Sequence, residues 1–123
     1  MKIIVVALAL VLSGFALKGT GPNFKSPRNF YRAGDSVTVV LRDSTLELAI
    51  CIANQHAVYY FQVEKQEGKS WQRVYTNEGP CPAMFPTTTT VSKGFTLGHR
   101  IRTPGVYRFR IGGQYFSNSF EVR

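Results

Sequence analysis

The chain has 123 residues, of which 15 are lysine or arginine and 7 are aspartate or glutamate, so its net charge is +8 at neutral pH. This length provides one domain with a modest core, burying roughly two-thirds of the unfolded surface, and excludes a second domain of similar size. The positive charge favours an anionic partner. If the chain is exported, as the pattern of its first residues indicates below, a cell-surface polymer is favoured over nucleic acid. A solvated basic surface without a partner is the alternative, because the basic residues are dispersed along the chain.

Residues 1–16 have the organisation of a secretory signal peptide. Lys2 provides the positive start, residues 3–12 form an apolar run, and Ala16 lies at a cleavage point with small residues. The apolar run is shorter than the about 20 residues that cross a bilayer, and no second apolar segment follows. We therefore expect cleavage after Ala16 and a secreted or periplasmic protein whose mature chain has no transmembrane segment. An uncleaved N-terminal element is the alternative.

Short strands separated by turns are predicted for the rest of the chain. Residues 17–29 are rich in glycine, proline and lysine and predict an extended lead-in with one short edge strand. Strands follow with alternation over 37–42 and 46–53, then a hairpin with strands at 57–65 and 70–76. Two short strands surround the turn at Lys93-Gly94, and two closing strands cover 105–111 and 115–123. Seven or eight strands without a helix predict an all-β antiparallel sandwich, with a closed barrel as the alternative.

The two cysteines, Cys51 and Cys81, are the only ones in the chain. In an oxidising compartment they predict an intramolecular disulfide, which would stabilise the fold by roughly 3 to 4 kcal/mol through closure of a loop of about 30 residues. A reactive thiol is the alternative. Their spacing is not that of a metal site.

The strand at 105–111 alternates apolar and basic residues. Tyr107 and Phe109 share one face, while Arg108 and Arg110 share the other. Because the opposite facing would bury two guanidinium groups, we expect both arginines to face solvent. Tyr107 is also placed to form a tyrosine corner, in which its hydroxyl bonds back to the preceding turn.

The segments "RAGDSVTVVL", "IANQHAVYYFQVEKQEGKSW", "VSKGFTLGHRIRTPGVYRFRI" and "SNSFEV" resemble the small immunoglobulin-like domains of secreted bacterial proteins. The resemblance covers residues 30–123 and implies an immunoglobulin-like sandwich without a shared catalytic site. Two positions depart from the animal-type pattern. Phe109 stands where the second cysteine of the inter-sheet disulfide is found, and Trp71 lies one strand later than the usual core tryptophan.

Catalytic and metal-binding arrangements are not apparent in the sequence. His56 and His99 are the only histidines, and neither is spaced to share a face with further metal ligands. A Cys51–His56 nucleophile is a weaker alternative to the disulfide. We therefore expect no cofactor, no metal and no enzymatic activity.

Binding is the favoured class of function. In an immunoglobulin-like sheet, the outward residues of the closing strands and the first hairpin strand would form one basic, partly aromatic surface of Arg108, Arg110, Arg123, Tyr60 and Gln62, with Glu64 and Glu121. Arginine with tyrosine is typical of binding hot spots. Charge pairing between the strands, without a function, is the alternative.

Trp71 has two interpretations. It could join Tyr75 and Phe85 in an aromatic platform for a sugar ring, but a place in the hairpin core is favoured for it.

The sequence thus predicts a non-catalytic secreted binding or accessory module that recognises a protein or an anionic polysaccharide. Three alternatives remain open. The loops at 77–86 and 112–119 could enter a protease cleft, the aromatic residues could bind carbohydrate, or the threonines at 87–90 could form an edge strand for self-association.

Overall fold

The computed structural model describes residues 22–53, 55–77, 87–112 and 114–123. The predicted signal peptide lies outside these ranges. The described residues form twelve β-strands: β1 (Phe24–Lys25), β2 (Phe30–Tyr31), β3 (Ser36–Leu41), β4 (Thr45–Ala53), β5 (His56–Tyr59), β6 (Phe61–Glu67), β7 (Ser70–Asn77), β8 (Thr87–Ser92), β9 (Thr96–Arg100), β10 (Gly105–Ile111), β11 (Tyr115–Phe116) and β12 (Phe120–Val122). The all-β prediction is confirmed, and no helix in the described ranges has the length and apolarity to cross a membrane.

The strands form three sheets. The largest has six strands in the order β2-β12-β10-β6-β7, with β11 beside β10, and the others have the orders β1-β3-β9 and β5-β4-β8. The lead-in thus contributes the edge strand β1, as predicted, and the threonine run lies on the edge strand β8. All pairings between the named strands are antiparallel except that of β2 with β12, which is parallel. The predicted antiparallel sandwich is therefore confirmed, with this short parallel pairing as an exception.

The sheets enclose one hydrophobic core. Strand alternation supplies much of it, since β3 buries every second residue, and so does β10 from Tyr107 onward. The fully buried side chains include Phe24, Val37, Val39, Val63 and Phe109. The apolar face of β10 therefore points inward, and the six-stranded sheet is left with an outer face that is free of the core.

The predicted single strand at 57–65 is wrong, because the chain changes sheets at Tyr60. β5 pairs with β4, whereas β6 pairs with β10 and β7. The Tyr60 amide donates to the Ala49 carbonyl at 3.4 Å, and the Tyr60 carbonyl accepts from the Gly112 amide at 2.9 Å. One residue thus connects two sheets through its backbone, as at the corners of orthogonally packed sandwiches.

The closing strand at 115–123 is also divided, at Ser117. The Phe109 amide donates to Ser117 Oγ at 2.8 Å, and the Ser117 amide donates to the Phe109 carbonyl at 3.0 Å. The serine side chain satisfies a β10 amide between β11 and β12. The described strands outnumber the seven or eight predicted for three reasons. The chain changes sheets at Tyr60, the closing strand is divided at Ser117, and three strands have only two residues.

The tyrosine corner predicted at Tyr107 is present. The Tyr107 hydroxyl donates to the Thr103 carbonyl at 2.7 Å. Burial raises the pKa of Tyr107, and the negative charge of Glu67 raises it further, so the hydroxyl keeps the proton that this bond requires.

We expect Tyr107→Phe to lower the free energy of unfolding by about 1 kcal/mol, because the ring stays packed and only the hydrogen bond is lost. Urea unfolding at neutral pH measures this change. Tyr115→Phe is the matched control, since the Tyr115 hydroxyl makes no hydrogen bond within the described part of the chain. Equal stability of the two variants would show that the corner bond does not hold the turn.

Cys51 is buried on β4, opposite Val58. The described part of the chain contains no free thiol. The predicted partner Cys81, with the proline-rich loop that carries it, lies outside the described residues. The Cys51–Cys81 disulfide therefore stays a prediction.

Candidate functional site

The outer face of the six-stranded sheet carries the two arginines of β10. Arg108 pairs across the sheet with Glu64, and Arg110 pairs with Gln62 on one side and Phe116 on the other. Tyr107 and Phe109, which alternate with them, are buried. The predicted facing of both arginines is thus confirmed.

Arg108 is held by three neighbours at the centre of this face. Its Nε donates to Glu64 Oε1 at 2.7 Å. Its guanidinium carbon lies 4.3 Å from the centroid of the Trp71 ring and 4.4 Å from that of Phe116. Both distances are within the range of a cation–π interaction. The planar guanidinium is therefore held in position by contacts within the protein itself.

Glu64 is the buried acid beneath these arginines, with only 7% of its side chain exposed. Besides the bond from Arg108, its second oxygen lies 3.8 Å from Nη1 of Arg110. The charge pairing that the sequence allowed between the strands is present here. Since one carboxylate meets two guanidinium groups, this cluster retains a net positive charge.

A separate contact between an arginine and an aromatic ring lies at the edge of the same face. The Arg123 guanidinium carbon is 4.2 Å from the centroid of Phe30, whose side chain is exposed. Nη2 of Arg123 lies 3.4 Å from Oε1 of Glu121. Both charged groups are exposed, so this ion pair contributes little to stability. We call the surface formed by Phe30, Trp71, Arg108, Arg110, Phe116 and Arg123 the aromatic–arginine face.

The other two residues predicted for this surface, Gln62 and Tyr60, differ in outcome. Gln62 pairs directly with Arg110 across the sheet and therefore lies on the same outer face, as predicted. Tyr60 lies at the break between β5 and β6, where its backbone joins the two sheets. Phe30 and Phe116 were missed by the sequence reasoning, because two-residue strands have no alternation from which to assign a face.

A β-bulge determines the position of Trp71. Tyr75 pairs with Val63, but the next pair toward the turn is Arg73 with Glu64, so Val74 is the extra residue. Trp71 therefore faces outward and Tyr75 faces inward. The predicted platform of Trp71 with Tyr75 is wrong for this reason, and Phe85 lies outside the described residues. The hairpin-core interpretation of Trp71 is also wrong, because the ring is half-buried against Arg108.

The two histidines lie apart from the aromatic–arginine face. His56 is exposed on β5, and His99 on β9 stacks on Tyr75 with ring centroids 3.8 Å apart. Burial lowers the pKa of His99. Within the described ranges, no three His, Cys, Asp or Glu side chains are grouped as metal ligands.

Taken together, the fold and this site define an all-β sandwich with arginines stacked on aromatic rings across one sheet. Comparison of the sequence with protein-family models gives no match, and comparison with curated proteins gives none. Among solved structures, a superoxide reductase (neelaredoxin) from Ignicoccus hospitalis is similar, at 10% sequence identity and a TM-score of 0.34, with 83% of this chain and 80% of that chain covered.

This similarity corrects one expectation. The sequence predicted that the protein is not an enzyme, whereas the similar structure is that of an enzyme, so that prediction is contradicted. The description "non-catalytic" is accordingly withdrawn. A likeness at this identity and TM-score assigns no activity, substrate or cofactor to this chain.

Proposed function

We propose that this chain is a secreted, immunoglobulin-like β-sandwich that binds an anionic cell-surface polymer or an acidic protein surface through its aromatic–arginine face. The observation that carries the proposal is the fixed guanidinium of Arg108, which contacts the rings of Trp71 and Phe116 and is bonded to Glu64. The tyrosine corner and the place of β10 between β6 and β12 support the immunoglobulin-like assignment. The pattern of residues 1–16 supports secretion.

Preorganisation supports binding at this face. Ordering a long arginine side chain on association costs about 0.5 to 1.5 kcal/mol, and a guanidinium already packed between rings avoids much of that cost. Arginine and tryptophan are also the residues that most often dominate binding energy, because the planar fork and the large ring give both hydrogen bonds and contact area. The face thus combines the two kinds of group within a few ångströms.

The charge of the outer face supports an anionic partner. Its arginines are Arg73, Arg108, Arg110 and Arg123, and its acids are Glu64 and Glu121. Because Glu64 is buried under Arg108 and Arg110, the charge that solvent meets is mainly positive. An acidic polymer would therefore be drawn to this side of the sheet.

We expect the double variant Arg110→Gln with Arg123→Gln to bind a polyanion about tenfold more weakly, since it removes two positive charges and leaves the Arg108–Glu64 pair intact. The measurement is the salt concentration that elutes the protein from heparin–agarose, followed by direct titration with heparin. Unfolding curves of the two proteins verify that the fold is kept.

The matched control is Arg42→Gln with Lys93→Gln, which removes the same charge from exposed positions outside the six-stranded sheet. We expect the control to lose much less affinity. If both double variants lose the same affinity, binding reflects the net charge of the whole protein and the proposed face is not a site.

A further inference from the structure

A pocket opens on the side of the β6–β7 hairpin opposite to the aromatic–arginine face. Its volume is about 310 Å³ and its walls include Lys65, Tyr75, His99, Arg100, Arg102 and Tyr107. It lies where β9 of one sheet approaches β7 of another, because His99 faces the interior of the sandwich and stacks on Tyr75. The pocket is therefore built by two sheets rather than by one loop.

The walls of the pocket are basic. Lys65, Arg100 and Arg102 carry positive charge, and no aspartate or glutamate belongs to the described residues that line it. Nη1 of Arg100 donates to the Gly34 carbonyl at 2.7 Å, which orients the guanidinium without neutralising it. Within the described residues, the acid that pairs with a side chain of the wall is the exposed Glu67, whose Oε1 lies 3.9 Å from Nζ of Lys65. That contact is long and solvated, so it competes weakly with a bound anion.

Gly105 leaves room for the Lys65 side chain, which lies directly over the backbone of this glycine. A Cβ at Gly105 would meet Cε of Lys65 at 2.7 Å, which is closer than such atoms can approach. Gly105 also has a φ of +156°, a conformation that side-chain-bearing residues rarely adopt. The lysine stem thus passes over bare backbone beside Tyr107, and Lys65 lines the pocket.

His99 brings a hydrogen-bond donor to the same pocket. Its ring is held against Tyr75, and its nitrogens make no hydrogen bond to the described part of the chain. When protonated, an imidazole has two donors, and an anion beside it stabilises the protonated form. Lysine, arginine and imidazolium around a small cavity are the groups that recognise phosphate and carboxylate oxygens.

We propose that this pocket binds a compact oxyanion, a phosphate or carboxylate group, between Lys65 and His99, with Arg100 and Arg102 at the rim. The inference is independent of the function proposed for the aromatic–arginine face, since the two sites lie on opposite sides of β6 and β7. The basic residues at this end of the sandwich thereby have a defined class of ligand, the small oxyanions.

The experiment is an NMR titration of the two imidazole rings in the full mature chain, with pyrophosphate in one series and citrate in the other. Ionic strength is held constant with sodium chloride. The charges around His99 are Lys65, Arg100 and Arg102, with Glu67 beyond Lys65. We expect either anion to raise the pKa of His99 saturably and to leave exposed His56 unchanged. The tighter of the two anions identifies the phosphate or the carboxylate class.

Variants separate a site from general electrostatic attraction. We expect Lys65→Met to weaken anion binding about tenfold, and Glu67→Gln to strengthen it about threefold by removing the competing carboxylate. Lys69→Met is the matched control, because it removes the same charge from an exposed turn position of the same hairpin. Parallel shifts of His56 and His99, equal effects of Lys65→Met and Lys69→Met, or no shift of His99 would each overturn the proposal.

Discussion

We expect Arg108→Ala to lower the free energy of unfolding by about 2 to 3 kcal/mol, measured by urea unfolding at neutral pH. The substitution removes the bond to Glu64, whose side chain is 7% exposed, and leaves that carboxylate with Arg110 at 3.8 Å. It also removes the contacts of the guanidinium with Trp71 and Phe116. A buried charge with one distant partner is the main source of the loss.

Two further variants test this reason. Adding Glu64→Gln to Arg108→Ala should recover about 1 kcal/mol, because a buried neutral amide costs less than a poorly paired carboxylate. Arg123→Ala should change stability by less than about 0.5 kcal/mol, since its pair with Glu121 is exposed. If Arg108→Ala is as mild as Arg123→Ala, the stacked arginine does not stabilise the sheet.

We expect Phe109→Ala to have the larger effect, a loss of about 3 to 5 kcal/mol. Phe109 is completely buried, and its ring centroid lies 5.6 Å from that of Phe61 and 6.1 Å from that of Phe120. Truncation would leave a cavity between these rings at the centre of β10. Since small domains have a total stability of about 5 to 15 kcal/mol, thermal unfolding should show a clear decrease in Tm.

Phe30→Ala is the matched control for the core substitution, because the Phe30 side chain is 49% exposed. Its loss should stay near 0.5 kcal/mol, from the contact with Arg123 alone. A loss at Phe109 below about 1.5 kcal/mol would mean that the surrounding side chains collapse into the space, so that the core is less rigid than its packing indicates.

The facing of β10 could be predicted because strict alternation leaves one arrangement that buries the apolar residues. The same rule exposed Arg108 and Arg110, and the position of Tyr107 at the start of the strand predicted the tyrosine corner. These inferences depend on a few neighbouring residues. The binding role of the face stays a prediction, because the charge pairing observed at Glu64 is compatible with a purely structural role as well.

Other features depend on contacts that a single segment does not contain. Alternation identifies a face but not the sheet to which a strand belongs, so the change of sheet at Tyr60 was missed. The bulge at Val74 inserts one residue without a glycine or proline to mark it, and this reversed the expected relation of Trp71 to Tyr75. Glu64 is buried by arginines and rings on other strands, which its own neighbours in sequence could not indicate.

The parallel pairing of β2 with β12 has a consequence for how this protein acquires its structure. Phe30 aligns with Glu121 and Tyr31 with Val122, so β2 can join the six-stranded sheet only after a segment about 90 residues later has been synthesised. During most of translation, β2 therefore lacks β12, the strand to which it is hydrogen-bonded in the folded protein. Closure of the largest sheet is therefore a late event in folding, and β2 stays without its partner strand until β12 is available.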